Sequence, residues 1–228
     1  FLDKGFIISE SPVNIIGTRD RPVVIRGRGS VAVLTNGQKS FLQHVYFDGL
    51  VSLNYDNWTT TSAVTFHEAD LEMSDCKFLN NFSEDALNLI RCRLTADNLY
   101  FQNSSSDALD FDFCSGEVGN IQITNCGNDG LDLSGSEVHV NKCIIRKSSD
   151  KGISVGEDSK VSIDSVYVFE ANIGITSKDM STLKVGYFYY KSCNYPIAAF
   201  RKKPEYGYSS IEIDQCAKLK KTYPHDQC

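Results

Sequence analysis

The chain has 228 residues, of which 41% are hydrophobic and 23% charged, and its formal net charge is −6. This composition is typical of one soluble domain, and no apolar run approaches the roughly 18 residues that a membrane span needs. The stretch from Leu94 to Asn141 holds no Lys or Arg, so its acidity excludes the basic surface that nucleic acid requires and favours cations, or glycans that are neutral or cation-bridged.

Residues 1–60 show apolar stretches without a fixed spacing, and we interpret them as less regular N-terminal coils of the repeat described next. Trp58 lies in the longest non-repeating stretch, Tyr55-Asp56-Asn57-Trp58. An exposed aromatic ring there could stack on a sugar, and packing of a lateral loop against the rest of the protein is an equal alternative. Trp58 is therefore a candidate substrate-binding residue.

From about residue 60 to residue 200 a four-residue pattern recurs every 22 residues, which is the signature of a repeat architecture. Its copies are Asp85-Ala86-Leu87-Asn88, Asp107-Ala108-Leu109-Asp110, Asp129-Gly130-Leu131-Asp132, Lys151-Gly152-Ile153-Ser154, Ile173-Gly174-Ile175-Thr176 and Tyr195-Pro196-Ile197-Ala198. An earlier copy, Ala63-Val64-Thr65-Phe66, fits after one extra residue. Residues 201–228 do not continue the pattern and form a C-terminal cap or tail.

Apolar residues alternate within each unit, which is the period of a strand. The inward column comprises Val64, Leu87, Leu109, Leu131, Ile153, Ile175 and Ile197, and a second strand per unit repeats from Cys76 and Phe78. A unit this short buries its apolar stripe only by stacking on its neighbours. The sequence therefore predicts an all-β, single-stranded right-handed parallel β-helix of about ten coils over residues 1–228 as one domain, with Asn81, Asn103 and Asn125 forming a ladder at a turn.

With this repeat the chain resembles the pectate-lyase-like right-handed β-helix superfamily and the β-helix modules of bacterial surface and secreted proteins, over residues 13–213. The resemblance implies sugar chemistry: polysaccharide lyases, hydrolases, epimerases or non-catalytic glycan-binding rods. It also implies a secreted or cell-surface location, within a larger multidomain protein. The catalytic signatures of polygalacturonase-like hydrolases are missing, since only Arg201-Lys202-Lys203 matches a part of them.

Three carboxylates are predicted to meet on an outward, exposed face. Asp110 and Asp112 lie on one face of one strand, and Asp132 lies one coil from Asp110, so we expect all three within roughly 5–7 Å. Like charges this close require a cation, a proton on one member, or solvation. The three residues are therefore candidate calcium ligands or candidate catalytic residues for glycoside hydrolysis, and a merely solvated acidic face is the remaining alternative.

Other outward positions could contact a substrate. Asn88 shares the column of Asp110. His67 shares the column of Asp112, and the coil of Ile90 separates the two residues. Lys151 follows Asp129 in its column and could neutralise it or act as a base, and Lys178 lies beside the same face. The acids that begin the strands, Asp85, Asp107 and Asp129, are expected to accept hydrogen bonds from backbone amides.

The spacing of the cysteines indicates buried core positions in preference to a disulfide framework. Cys76 and Cys143 fall in an inward column, where Cys acts as a small hydrophobe. Cys92 and Cys114 are 22 residues apart, so a vertical disulfide between stacked coils is possible but not required.

Two functions are consistent with these patterns. The first is an extracellular or cell-surface β-helix that binds or presents to polysaccharide without catalysis. The alternative is a carbohydrate-active enzyme, a polysaccharide lyase or glycoside hydrolase, whose acidic site lies on the outward face of the coils between residues 88 and 154. Turnover of a bound glycan distinguishes them.

Overall fold

The computed structural model describes residues 1–3, 5–35, 37–52, 54–55 and 58–218. Every regular element in these ranges is a β-strand. No helix among the described residues is long and apolar enough to cross a membrane.

Twenty-two strands follow one another along the chain. The N-terminal strands are β1 Phe6–Ser9, β2 Asn14–Ile16, β3 Val23–Arg26, β4 Ser30–Leu34, β5 Lys39–Gln43, β6 Val45–Asp48, β7 Asn54–Tyr55 and β8 Trp58–Thr59. The central strands are β9 Val64–His67, β10 Asp70–Ser74, β11 Lys77–Leu79, β12 Asp85–Ile90, β13 Arg93–Asp97, β14 Leu99–Ser104, β15 Asp107–Asp112, β16 Ser115–Cys126 and β17 Leu131–Ser134. The C-terminal strands are β18 Glu137–Ser148, β19 Lys151–Gly156, β20 Lys160–Lys178, β21 Thr182–Phe200 and β22 Ser210–Lys218.

Parallel pairing between successive coils confirms the β-helix. Twenty strands form one continuous parallel ladder, and β7 and β8 form a separate antiparallel hairpin. The solenoid has about 9 turns of about 22 residues, one fewer than the sequence predicts. The register is the predicted one: Leu87 pairs with Leu109, which pairs with Leu131.

The inward columns form the core, since Val64, Leu109 and Ile175 are fully buried. The rings of Phe47, Phe78 and Phe101 stack at centroid distances of 5.1 and 4.7 Å. Ile197 departs from the prediction, because it is 42% exposed. It lies at the end of β21, and β22 pairs only with the earlier part of that strand, from Thr182 to Tyr190.

The asparagine ladder differs from the predicted one by its first member. Asn125 Nδ2 donates to Asn103 Oδ1 at 2.8 Å, and Asn103 Nδ2 donates to Asn80 Oδ1 at 2.9 Å. The coil of β11 contains one extra residue, since Phe78 pairs with Phe101, and a strict spacing of 22 therefore selects Asn81 wrongly. Asn81 is buried instead, and its Oδ1 accepts from the amide of Leu50.

The cysteines of the described coils carry free thiols. Cys76 and Cys143 are fully buried in the core as predicted, and burial raises the pKa of each thiol to about 12. Cys92 and Cys114 are stacked in adjacent coils, with the Cys92 amide donating to Cys114 Sγ at 3.4 Å, and no disulfide joins them.

Candidate functional site

A concave corner runs along the outside of the solenoid where β12, β15, β17 and β19 begin. In the coil of β17, Asp129 and Asp132 face outward, whereas Gly130 and Leu131 between them face the core. A Cβ atom on Gly130 would lie 3.1 Å from the core atom Ile145 Cδ1, and Leu131 is fully buried. Two consecutive inward residues bend the chain, so that outward side chains three positions apart approach each other. We call this corner the groove.

An earlier coil shows the same geometry directly. Ser62 and Thr65 occupy the positions of Asp129 and Asp132, and their hydroxyl groups hydrogen-bond to each other. Three columns of outward residues line the groove. The first comprises Ser62, Asp85, Asp107, Asp129 and Lys151; the second Thr65, Asn88, Asp110, Asp132, Ser154 and Thr176; the third His67, Ile90, Asp112, Ser134, Gly156 and Lys178.

A column of small residues marks the corner in the sequence. Its members are Ala63, Ala86, Ala108, Gly130, Gly152 and Gly174. A Cβ atom on Gly152 would lie 2.9 Å from Val168 Cγ1 and 2.5 Å from the Gly174 carbonyl oxygen. Large side chains are excluded there because the residue that follows also points inward. Strict alternation of inward and outward positions overlooks this signal.

Four residues of the second column, Thr65, Asn88, Ser154 and Thr176, are buried, so an exposed face is the wrong prediction for them, whereas Asp110 and Asp132 are half-buried. Asn88 is 5% exposed, and Ser154 and Thr176 are 0% exposed. The corner accounts for this, because outward side chains three positions apart lie close enough to cover each other, as the hydrogen bond between Ser62 and Thr65 shows. Lys178 adds cover: its side chain crosses the coil of Ser154 beside Gly156, where an added Cβ would lie 2.8 Å from Lys178 Cε.

Asn88 joins two of the predicted carboxylates. Its Nδ2 donates to Asp110 Oδ2 at 3.0 Å and to Asp112 Oδ2 at 3.2 Å. Its Oδ1 is buried and has no hydrogen-bond partner among the described residues. Burial, followed by the charges of Asp112, Asp85 and Asp132, raises the pKa of Asp110 to about 9. Asp110 therefore retains a proton at neutral pH.

The remaining acids of the groove share this tendency. Burial and the neighbouring Asp107 charge raise the pKa of Asp85 to about 7, and burial raises that of Asp107 to about 6. The pKa values of Asp112 and Asp129 are also raised, with burial as the first cause. The carboxyl groups of the groove thus lie so close together that water does not fully screen their repulsion. Bound protons or cations must offset it.

The tightest group of carboxylates is not the predicted one. Asp107, Asp129 and Asp132 each place an oxygen within 4.8 Å of the others, a spacing that fits oxygen ligands 2.3–2.6 Å from one calcium ion. Asp107 and Asp129 also perform their predicted backbone role. Asp107 Oδ1 accepts from the Asp129 amide at 2.8 Å, and Asp129 Oδ1 accepts from the Lys151 amide at 2.9 Å. The sequence favours the backbone-bonding role for Asp107 and Asp129 and does not single them out as metal ligands.

Two lysines already neutralise part of this group. Lys151 Nζ lies 3.3 Å from both carboxylate oxygens of Asp129 and also pairs with Asp150. Lys178 Nζ lies 3.8 Å from Asp132 Oδ1. The predicted neutralisation of Asp129 by Lys151 is thus present. A calcium ion bound to Asp129 would compete with the Lys151 ammonium group.

The structure places only one of the last two predicted substrate-binding residues relative to the acids. His67 pairs in register with Ile90, which pairs with Asp112, so one complete coil separates His67 from Asp112 as the sequence predicts. Trp58 belongs to the β7–β8 hairpin, and its side chain lies outside the described part of the chain.

The fold and this site together define a parallel β-helix with a polar, carboxyl-rich groove along its outer surface. No family model matches the chain, and comparisons with curated proteins and with solved structures find no match.

Proposed function

We propose that this chain is a polysaccharide-binding β-helix module of a secreted or cell-surface protein, related to the pectate-lyase-like superfamily, and that the groove holds the glycan. One observation carries the proposal. Among the described residues, three of the five buried side-chain polar atoms without a hydrogen-bond partner belong to the second groove column: Asn88 Oδ1, Ser154 Oγ and Thr176 Oγ1.

Unsatisfied buried polar atoms cost about 1–3 kcal/mol each, and a hydroxyl-rich ligand would satisfy them. Successive coils repeat these positions about every 4.8 Å, which supports a linear polymer lying along the solenoid axis. Protonated Asp110 offers a donor and Asn88 Oδ1 an acceptor. Because Lys178 crosses the coil of Ser154, it must move away when the glycan binds.

A second candidate, glycoside hydrolysis, is favoured by the proton on Asp110. A protonated carboxyl beside Asp112 and Asp132 provides the general acid and the second carboxylate that this reaction needs. Lys151 and Lys178 would then position the ionised carboxylates, whereas a lyase would require one of these lysines to release its carboxylate and serve as base.

A glycan array probed with the whole chain tests binding, with and without calcium. We expect hits that weaken in Asp110→Asn/Asp132→Asn, while the control Glu212→Gln, at an exposed ion pair with Lys184, keeps them. Hits are then assayed for new reducing or unsaturated ends. Turnover that is lost in Asp110→Asn/Asp132→Asn would support the enzyme, and binding without turnover would support the non-catalytic module. An array without hits contradicts both functions.

Thermal unfolding with added calcium tests the cation. If Asp107, Asp129 and Asp132 bind it, calcium raises the melting temperature, and Asp107→Asn/Asp132→Asn removes the rise. If Asp107, Asp129 and Asp132 bind the ion, the variant Asp110→Asn/Asp112→Asn should still show the increase in melting temperature. If the ion is bound by the residues predicted from the sequence, this variant should lose the increase. A melting temperature that is insensitive to calcium excludes both sets.

A further inference from the structure

A second face of the solenoid, separate from the groove, is aromatic and basic. It is formed by the outward residues in the later parts of β16 and β18, the middle of β20 and β21, and the matching part of β22. Its columns are Asn120, Lys142, Ser165, Tyr187 and Gln215; Gln122, Ile144, Tyr167, Tyr189 and Ala217; and Thr124, Arg146, Phe169 and Lys191. We call this surface the aromatic face.

The charge on this face is opposite to that of the whole chain. None of its positions holds Asp or Glu, and Lys142, Arg146 and Lys191 are basic, although the net charge of the protein is −6. None of these three cations takes part in an ion pair within the described part of the chain. Their charge is therefore available to an anionic partner.

Four rings on two adjacent coils form one cluster. The Tyr167 ring lies 5.7 Å from that of Tyr187 and 6.1 Å from that of Tyr189, and the Phe169 ring lies 5.5 Å from that of Tyr189. All four side chains are half-buried. Each ring thus stands on the sheet with part of its surface in solvent.

The cations are held against these rings. Lys142 Nζ lies 5.4 Å from the centroid of Tyr167, and Arg146 Cζ lies 4.4 Å from that of Phe169. Such cation–π contacts contribute about 0.5–1 kcal/mol each at exposed sites. They fix the positive groups at the level of the ring faces without neutralising them.

We infer that the aromatic face binds an anionic polysaccharide, at a site independent of the groove. Aromatic rings offer flat apolar surfaces to the C–H faces of sugar rings, tyrosine hydroxyls hydrogen-bond to sugar hydroxyls, and the unpaired cations attract carboxylate or sulfate groups. Nucleic acid is disfavoured, because a dense phosphate chain requires a more basic protein. Charge complementarity selects the ligand: the groove repels polyanions, and the aromatic face attracts them.

Affinity measurements with alginate and heparin as probes, and with uncharged dextran as the control polymer, test this inference over a series of salt concentrations. We expect alginate or heparin to bind and the affinity to fall with salt, while dextran does not bind here. Lys142→Gln/Arg146→Gln should weaken binding about tenfold, the equivalent of about 1.4 kcal/mol. Tyr167→Ala/Tyr189→Ala should weaken polysaccharide binding by a similar factor. Tyr167→Phe/Tyr189→Phe should weaken it less.

The matched control is Lys160→Gln/Lys184→Gln, which removes two cations from another stretch of the coils and should leave affinity within about twofold. Melting temperatures confirm folding of each variant. Equal loss in this control, tighter binding of single-stranded poly(dT) than of either polysaccharide, or no binding of either probe would overturn the inference. Asp110→Asn/Asp132→Asn should leave polyanion binding intact, so failure at the groove is distinguishable from failure here.

Discussion

The two sides of the same strands are buried by different means. Leu109 and Leu131 point inward and are enclosed by apolar side chains, so their burial stabilises the fold. Asp110, one residue away, faces the groove and is half-buried, and burial, followed by the charges of neighbouring carboxylates, raises its pKa. Burial of the inward leucines stabilises the fold, whereas crowding of the outward carboxyl groups destabilises it. Residues that destabilise the fold in this way are expected at a functional site.

The sharpest way to test this contrast is to change the charge by one unit on each side of the same strand. Leu131→Asp buries an unpaired carboxylate in the core, and we expect it to abolish cooperative folding. Asp132→Asn, at the adjacent outward residue, removes a charge from the groove and should leave the chain folded. Circular dichroism and urea unfolding of the two variants measure the difference. A folded Leu131→Asp protein would contradict the register.

The acidity of the groove should appear as a pH dependence of stability. Asp110, Asp85 and Asp107 have folded-state pKa values of about 9, 7 and 6, above their ordinary value of 3.8. The folded chain therefore binds more protons than the unfolded chain in this range, and its stability falls as pH rises from about 4 to about 9.

Each of these carboxyls contributes at most about 1.4 kcal/mol per pH unit between its two pKa values. Asp110→Asn should flatten the dependence most between pH 7 and pH 9, where Asp110 accounts for most of the titration of the three carboxyls. Urea unfolding at pH 5, 7 and 9 with a chelator present measures this, and Glu212→Gln serves as the control. A stability that rises toward pH 9 would show that the groove acids are ionised in the folded protein.

Sequence periodicity predicts the fold to the level of strand register, because each coil repeats the same constraint and Leu87, Leu109 and Leu131 report it independently. The site is predicted less completely. Asp110, Asp112 and Asp132 do line the groove, but alternation alone cannot reveal a corner where Gly130 and Leu131 both turn inward. That corner brings in Asp107 and Asp129 and buries residues expected to be exposed.

The corner itself can be tested at its small-residue column. Gly130→Val would direct methyl groups toward Ile145 and the Gly152 carbonyl, and overpacking of this kind costs about 1–3 kcal/mol. Gly130→Ala should cost less, since the equivalent residues of two earlier coils are Ala86 and Ala108. Chemical denaturation ranks the two variants. Equal stability of Gly130→Val and the unmodified chain would show that this position does not face the core.

The smallest effect is expected at the core cysteines, which separate apolar packing from covalent cross-linking. Cys76 and Cys143 are fully buried with free thiols, so Cys76→Val and Cys143→Val replace one small hydrophobe by another and should each cost less than about 1.5 kcal/mol. Thiol titration of the unfolded, unreduced protein should find both groups free. A loss above that range, together with fewer titrated thiols than these two residues supply, would mean that disulfides and not stacking hold these coils together.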